Sequence, residues 1–146
     1  MSSILDNKQT NKVDNKKIVL EKTIRAVLIE IGIKVHIKGF RFWITAISYL
    51  INQNDEDFKM TYLYDYVAKK HKTTMSKAER AMRYAYQELE INSQYSTVQD
   101  YLKNYFSVPY SINNTAFLYL VRDIVDERLE KLNVVYETRN FVEKHK

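Results

Sequence analysis

Apolar residues recur every three or four positions along most of this chain, which is the spacing of the buried side of an α-helix. The pattern predicts six helices, over residues 18–31, 40–52, 61–70, 76–88, 97–106 and 114–132. Two glycines and one proline are too few for a fold with many tight turns. The sequence therefore predicts an all-α fold, a compact bundle of about six helices.

The two ends of the chain lack this pattern. Residues 1–17 are polar and rich in lysine and asparagine, and we expect a disordered arm there because such a segment has little apolar surface to bury. Residues 18–132 are predicted to form one folded domain, followed by a C-terminal extension over residues 133–146. Within the domain, we expect Gly32 to stop the first helix in the left-handed conformation and Gly39 to interrupt the pattern before the second helix.

Residues 64–88 contain two predicted helices joined by a short polar turn. At the helical period, the second of these helices has a small apolar side and a polar side. The apolar side holds Ala78, Met82, Ala85 and Leu89, and the polar side holds Ser76, Arg80, Arg83 and Gln87. Ser76 and Glu79 have the spacing of a capping box, which predicts a helix start near Ser76. This arrangement is typical of a helix-turn-helix, whose second helix packs on the first and presents its polar side to DNA.

Positive charge is concentrated in the same region. Between Lys59 and Glu88, seven lysines and arginines stand against three acidic residues, a net charge of +4, whereas the whole chain carries +5. The alternative interpretation is an amphipathic surface helix whose charged side only keeps the protein in solution. The clustering of the charge, in a protein with a pI of about 9.2, favours a nucleic-acid partner instead.

Several classes of function are disfavoured by what the sequence lacks. The three histidines, His36, His71 and His145, do not have metal-ligand spacing, and neither a carboxylate pair on an apolar helix side nor a glycine-rich phosphate loop is present. We therefore expect no enzyme, no metal site and no cofactor. The start of the chain does not resemble a signal peptide, and the longest apolar-rich run, residues 42–51, is about half as long as a membrane span. We expect a cytoplasmic protein without a membrane partner.

Three blocks of sequence carry a family resemblance. They are LIEIGIKVHIKGFRFWITAI, VAKKHKTTMSKAERAMRYA and SINNTAFLYLVRDIV, which begin at residues 28, 67 and 111. Together they resemble the DNA-binding effector domain of stage 0 sporulation protein A, the response regulator of sporulation in endospore-forming Firmicutes. The resemblance spans residues 23–132. It implies a bundle of about six helices, binding of double-stranded DNA at short tandem boxes, and control of transcription.

The resemblance also implies which residues contact DNA. Glu79, Arg80 and Arg83 match contact positions of the family, and Ser76 matches a polar position at the helix start. Lys77 stands where the family has arginine, and Tyr84 stands where it has histidine. We expect a different box preference at Lys77, because lysine cannot make arginine's two-pronged contact with guanine. We expect base contacts from Ser76, Lys77, Glu79, Arg80, Arg83 and Tyr84, and phosphate contacts from His36, Lys38, Lys69, Lys70, Lys72, Thr73 and Thr74.

The family usually carries a phospho-acceptor receiver domain, whereas only about 20 residues precede the effector domain here. We therefore expect a sequence-specific DNA-binding regulator that acts without its own receiver. The alternative is a protein-interaction module that titrates a full-length regulator or an RNA polymerase sigma factor. A homodimer on tandem sites is a further candidate assembly, with Leu118, Val125 or Leu129 of the last helix as its expected contacts.

Overall fold

The computed structural model describes residues 2–53, 57–91 and 113–144. These ranges contain five α-helices and no strand, which confirms the predicted all-α fold. The helices are α1 (Ser2–Ile31), α2 (Lys38–Asn52), α3 (Met60–Lys70), α4 (Met75–Ile91) and α5 (Asn114–Lys144). The helix predicted over residues 97–106 lies outside the described residues.

The first and last helices are longer than predicted. Helix α1 begins at Ser2, so residues 2–17 are helical where a disordered arm was expected over residues 1–17, and α5 continues to Lys144 instead of ending near Leu132. Neither helix contains glycine or proline, and adding a residue to an existing helix gains a hydrogen bond without the cost of a new nucleus. The division of the chain into an arm, a domain and an extension stays a prediction.

Backbone hydrogen bonds end α1 as the sequence predicts. Gly32 has a φ of 111°, and its N–H donates to the carbonyl of Ile29 at 3.0 Å. The N–H of Ile33 donates to the carbonyl of Leu28, also at 3.0 Å. These two bonds form a Schellman motif, in which glycine is favoured because only a residue without a Cβ adopts the left-handed conformation at no steric cost.

Helix α2 lies at the centre of the described structure and packs against α1, α3, α4 and α5. Its residue Trp43 is fully buried, with its ring centroid 4.7 Å from that of Phe117 on α5. The indole Nε1 donates to the main-chain carbonyl of Met82 on α4 at 2.8 Å, so this large side chain is buried without losing its hydrogen bond. Trp43 thereby joins three helices around one core.

An asparagine side chain caps the start of α5. The Oδ1 atom of Asn113 accepts from the N–H of Ala116 at 2.8 Å, which makes Asn113 the N-cap.

Farther along α5, Leu118 and Val125 are fully buried against the rest of the chain, and Leu129 is half-buried. The prediction that Leu118 and Val125 serve as dimer contacts is therefore wrong.

A bilayer crossing requires a long apolar helix, and the described part of the chain contains none.

Candidate nucleic-acid interface

The turn between α3 and α4 closes without a glycine. His71 is the C-cap of α3. The next residue, Lys72, has a φ of 55°, which lies in the left-handed region. The N–H of Thr73 donates to the carbonyl of Ala68 at 2.9 Å, which is the long bond of a Schellman motif. An ordinary side chain in this conformation costs roughly 1–2 kcal/mol, because its Cβ approaches a carbonyl oxygen. The turn is therefore strained at Lys72.

Helix α4 begins one residue before the predicted start, and its cap is different. The Oγ1 atom of Thr74 accepts from the N–H of Lys77 at 3.1 Å, so Thr74 is the N-cap and the capping box proposed for Ser76 and Glu79 is wrong. The Glu79 carboxylate instead pairs with Arg83 one turn later, at 3.3 Å. Threonine and serine occur two positions apart here, and both are good caps, so the pattern alone did not distinguish them.

The two sides of α4 agree with the helical-period prediction. Ala78, Met82, Ala85 and Leu89 are buried. Ser76, Lys77, Arg80, Arg83, Tyr84 and Gln87 are exposed. The small buried side lets α4 pack closely on its neighbours, and the long polar side is available to a partner.

A surface cleft of about 890 Å³ separates α4 from the start of α2. Its lining comes from the loop before α2, from the first two turns of α2, from the turn between α3 and α4, and from α4 itself. Seven residues with predicted DNA contacts lie in it: His36, Lys38, Lys72, Thr73, Lys77, Arg80 and Tyr84. Segments that are distant in sequence therefore meet in one cationic surface, and we call it the α2–α4 cleft.

The remaining predicted residues lie outside the lining of the α2–α4 cleft. Ser76, Glu79, Arg83 and Thr74 belong to α4 or its cap but do not line it. Lys69 pairs with Asp65 at 2.9 Å, and the Lys70 ammonium lies 5.9 Å from the centroid of the Tyr66 ring. Lys70 lines a second cleft, of about 360 Å³, between α1, α2 and α3.

Gly39 sets the distance between the two walls of the α2–α4 cleft. It lies in the first turn of α2 and is buried, so the helix begins before Gly39 and the expectation that it interrupts the pattern is wrong. A Cβ at this position would overlap the carbonyl oxygen of Ala81 and lie 2.8 Å from the Cβ of Ala85. Glycine is needed here because the backbones of α2 and α4 approach more closely than a side chain allows.

Two polar residues that line the α2–α4 cleft, Arg41 and His71, were not among those predicted to contact DNA. Arg41 is exposed on α2, three positions after Lys38, and this spacing was the available signal. His71 packs its ring 4.7 Å from that of Phe42, and its Nε2 lies 2.7 Å from the Oγ1 of Thr45. Burial lowers the pKa of His71, and the nearby charges of Lys70 and Arg41 lower it further. The imidazole is thus neutral near pH 7 and holds the turn against α2.

Asn114 supports α4 from the side opposite the solvent. Its Nδ2 donates to the carbonyl of Glu79 at 3.2 Å and to the hydroxyl of Tyr64 at 3.0 Å. The buried hydroxyl of Tyr86 donates to the Asn114 Oδ1 at 2.7 Å. Burial raises the pKa of Tyr64, which keeps its phenol protonated. One amide therefore connects the first turn of α5 to both helices of the helix-turn-helix.

The family model described as sporulation initiation factor Spo0A C terminal matches residues 24–125, which is more than two thirds of the chain. The chain belongs to this family. The match begins in the packed part of α1 and includes both walls of the α2–α4 cleft. The Spo0A C-terminal family is a DNA-binding effector domain of a sporulation regulator and is not a catalytic family, which confirms the resemblance seen in the sequence.

Proposed function

We propose that this Spo0A C-terminal family member is a sequence-specific transcriptional regulator that inserts α4 into the major groove of DNA. The residues assigned to base contacts are Ser76, Lys77, Glu79, Arg80, Arg83 and Tyr84. Those assigned to phosphate contacts are His36, Lys38, Lys69, Lys70, Lys72, Thr73 and Thr74. The observation that carries this proposal is the α2–α4 cleft, in which cations from three separate segments face the same space.

The dimensions of α4 suit a major groove. Lys77, Arg80 and Tyr84 follow one another at intervals of three and four residues, so they form a single row along the helix. At a rise of 1.5 Å per residue, this row is roughly 10 Å long, which corresponds to about three base pairs. A major groove about 12 Å wide admits one helix, and its base edges then lie opposite the row.

The side chains differ in the chemistry that they offer to bases. Arg80 has the planar fork that donates two hydrogen bonds to guanine, whereas Lys77 offers a single charged group. The ion pair between Glu79 and Arg83 holds both groups on the exposed side of α4 before DNA arrives. A carboxylate in this place accepts a hydrogen bond from cytosine, so the pair combines a donor and an acceptor.

Arg80→Ala should lower the affinity for a preferred site by about 1–3 kcal/mol, roughly five- to 150-fold, because a two-pronged base contact is lost. The folded state should be unaffected, because Arg80 is exposed and alanine is a good helix former. The measurement is a competition titration by fluorescence anisotropy, with a site selected from random DNA and compared with unselected DNA at one salt concentration.

The matched control for Arg80→Ala is Lys131→Ala. Lys131 is an exposed cation on α5 that pairs with Glu127 at 3.6 Å and lies outside the lining of the α2–α4 cleft. Its removal changes the net charge equally and should leave both affinities unchanged. Wild-type affinity of Arg80→Ala for the preferred site would overturn the assignment of the base-contacting side.

These 146 residues should bind DNA without phosphorylation, because the α2–α4 cleft presents its lysines and arginines in the unphosphorylated chain. Affinity should fall linearly with salt on a double logarithmic plot as counterions are released. Binding curves with and without acetyl phosphate should coincide. A shift produced by the phosphodonor would contradict independence from phosphorylation, and a flat salt response would contradict DNA binding itself.

A further inference from the structure

Arg41 lies on the wall of the α2–α4 cleft that faces α4. It belongs to the first turn of α2 and lines the cleft together with Lys38 and Lys72. His71, in the turn between α3 and α4, lines the same cleft. Arg41 is therefore close to that turn, although 30 residues separate it from His71 in the sequence.

Lys72 occupies a strained position on the same wall. Its φ of 55° is the conformation that glycine adopts without cost, yet the residue is lysine. The backbone bond from Thr73 to Ala68, at 2.9 Å, needs only the conformation and not the lysine side chain. A side chain kept where glycine would be more stable indicates that the side chain has a role of its own.

His71 joins the turn that carries Lys72 to the helix that carries Arg41. Its ring packs on Phe42, the neighbour of Arg41, and its Nε2 hydrogen-bonds to the hydroxyl of Thr45. His71 directly precedes Lys72, so the same contacts hold the strained turn against α2. The imidazole itself adds no charge near pH 7, which leaves the two long side chains as the cationic groups of this wall.

We propose that Arg41 is a further phosphate-binding residue, which contacts the DNA backbone beside Lys72 at the edge of the groove that α4 enters. This inference rests on the proposed function. Packed helices lie 8–10 Å apart, and the glycine at position 39 brings α2 and α4 especially close. With α4 in a groove about 12 Å wide, a side chain on the neighbouring helix reaches the edge of the groove, where the phosphates are. The contact sets how deeply α4 enters and carries no sequence information.

The test compares Arg41→Ala and Lys72→Gly with the wild type and with Lys131→Ala. Each of the first two variants should weaken binding to the selected site and to unselected DNA by the same factor. The slope of log affinity against log salt should decrease in magnitude by about 0.9 for each lost phosphate contact. Lys131→Ala should leave the slope unchanged.

Lys72→Gly has a second expected result, measured by thermal denaturation without DNA. Relief of the left-handed strain should raise the melting temperature by roughly 2–4 °C, whereas DNA binding weakens. A purely structural role for Lys72 would move stability and affinity in the same direction. Unchanged melting together with unchanged salt slope would overturn the role given to Lys72.

The results separate this inference from the function on which it rests. An unchanged salt slope for Arg41→Ala, together with a weaker selected site for Arg80→Ala, would overturn the phosphate contact and leave the proposed function standing. A loss confined to the selected site would make Arg41 a base contact, which also overturns the inference. Salt-independent binding by the wild type would overturn the proposed function itself.

Discussion

Gly39→Ala should destabilise the protein by roughly 3 kcal/mol, at the upper end of the cost of overpacking. The added Cβ would overlap the carbonyl oxygen of Ala81, and main-chain atoms of a packed helix cannot rotate away as a side chain does. Alanine is the better helix former, but that gain is at most about 1 kcal/mol and does not offset the collision. Thermal or urea denaturation measures the effect.

A second-site change tests the cause of that loss. The new Cβ would also lie 2.8 Å from the Cβ of Ala85, so Ala85→Gly removes one of the two obstacles. The double variant should be more stable than the sum of the two single effects allows, because the substituted atoms are in contact. A Gly39→Ala protein that melts at or above the wild-type temperature would show that α2 and α4 do not cross so closely. Gly39→Ala should also bind DNA more weakly, because the added Cβ pushes apart α2 and α4, the two walls of the α2–α4 cleft.

The periodic parts of the fold were predictable because they depend on local spacing. The buried and exposed sides of α4 follow from the positions of four small or apolar residues at the helical period. The ends of the helices were less predictable. Thr74 and Ser76 are both suitable caps, and the folded chain uses Thr74. Glu79, which completed the capping-box pattern, forms an ion pair with Arg83 instead.

The α2–α4 cleft could be predicted only in part, because it depends on contacts between distant residues. Glycine inside a helix is disfavoured by about 1 kcal/mol relative to alanine, so local reasoning treats Gly39 as an interruption. Only the crossing with Ala81 and Ala85 explains its place inside α2. Arg41 gains its position in the cleft from the same crossing.

The number of apolar residues on α5 led to the wrong prediction of dimer contacts for a related reason. A helix that packs on one neighbour needs one apolar stripe, and further apolar residues then indicate an additional partner. Helix α5 packs on both α1 and α2, so Leu118 and Val125 are used within the chain. The number of apolar residues on a helix can be counted in the sequence, whereas the number of helices that pack on them is known only from the fold.

Asn114→Ala should lower the free energy of unfolding by roughly 3 kcal/mol, since three hydrogen bonds worth about 1 kcal/mol each are lost. For a chain of this size, that is a decrease in melting temperature of roughly 6–12 °C. The loss should also weaken DNA binding. The amide holds the carbonyl of Glu79, which lies on the helix assigned to the major groove.

A double-mutant cycle with Tyr86→Phe assigns the effect to the hydrogen bonds instead of to the volume of the asparagine. Each single change removes the 2.7 Å bond between the Tyr86 hydroxyl and the Asn114 Oδ1, so the double variant loses that bond only once. Its destabilisation should be smaller than the sum of the single effects by about 0.5–3 kcal/mol, the range measured for residues in contact. Strict additivity would mean that the two groups do not interact. The support of α4 by the first turn of α5 would then have to come from apolar packing alone.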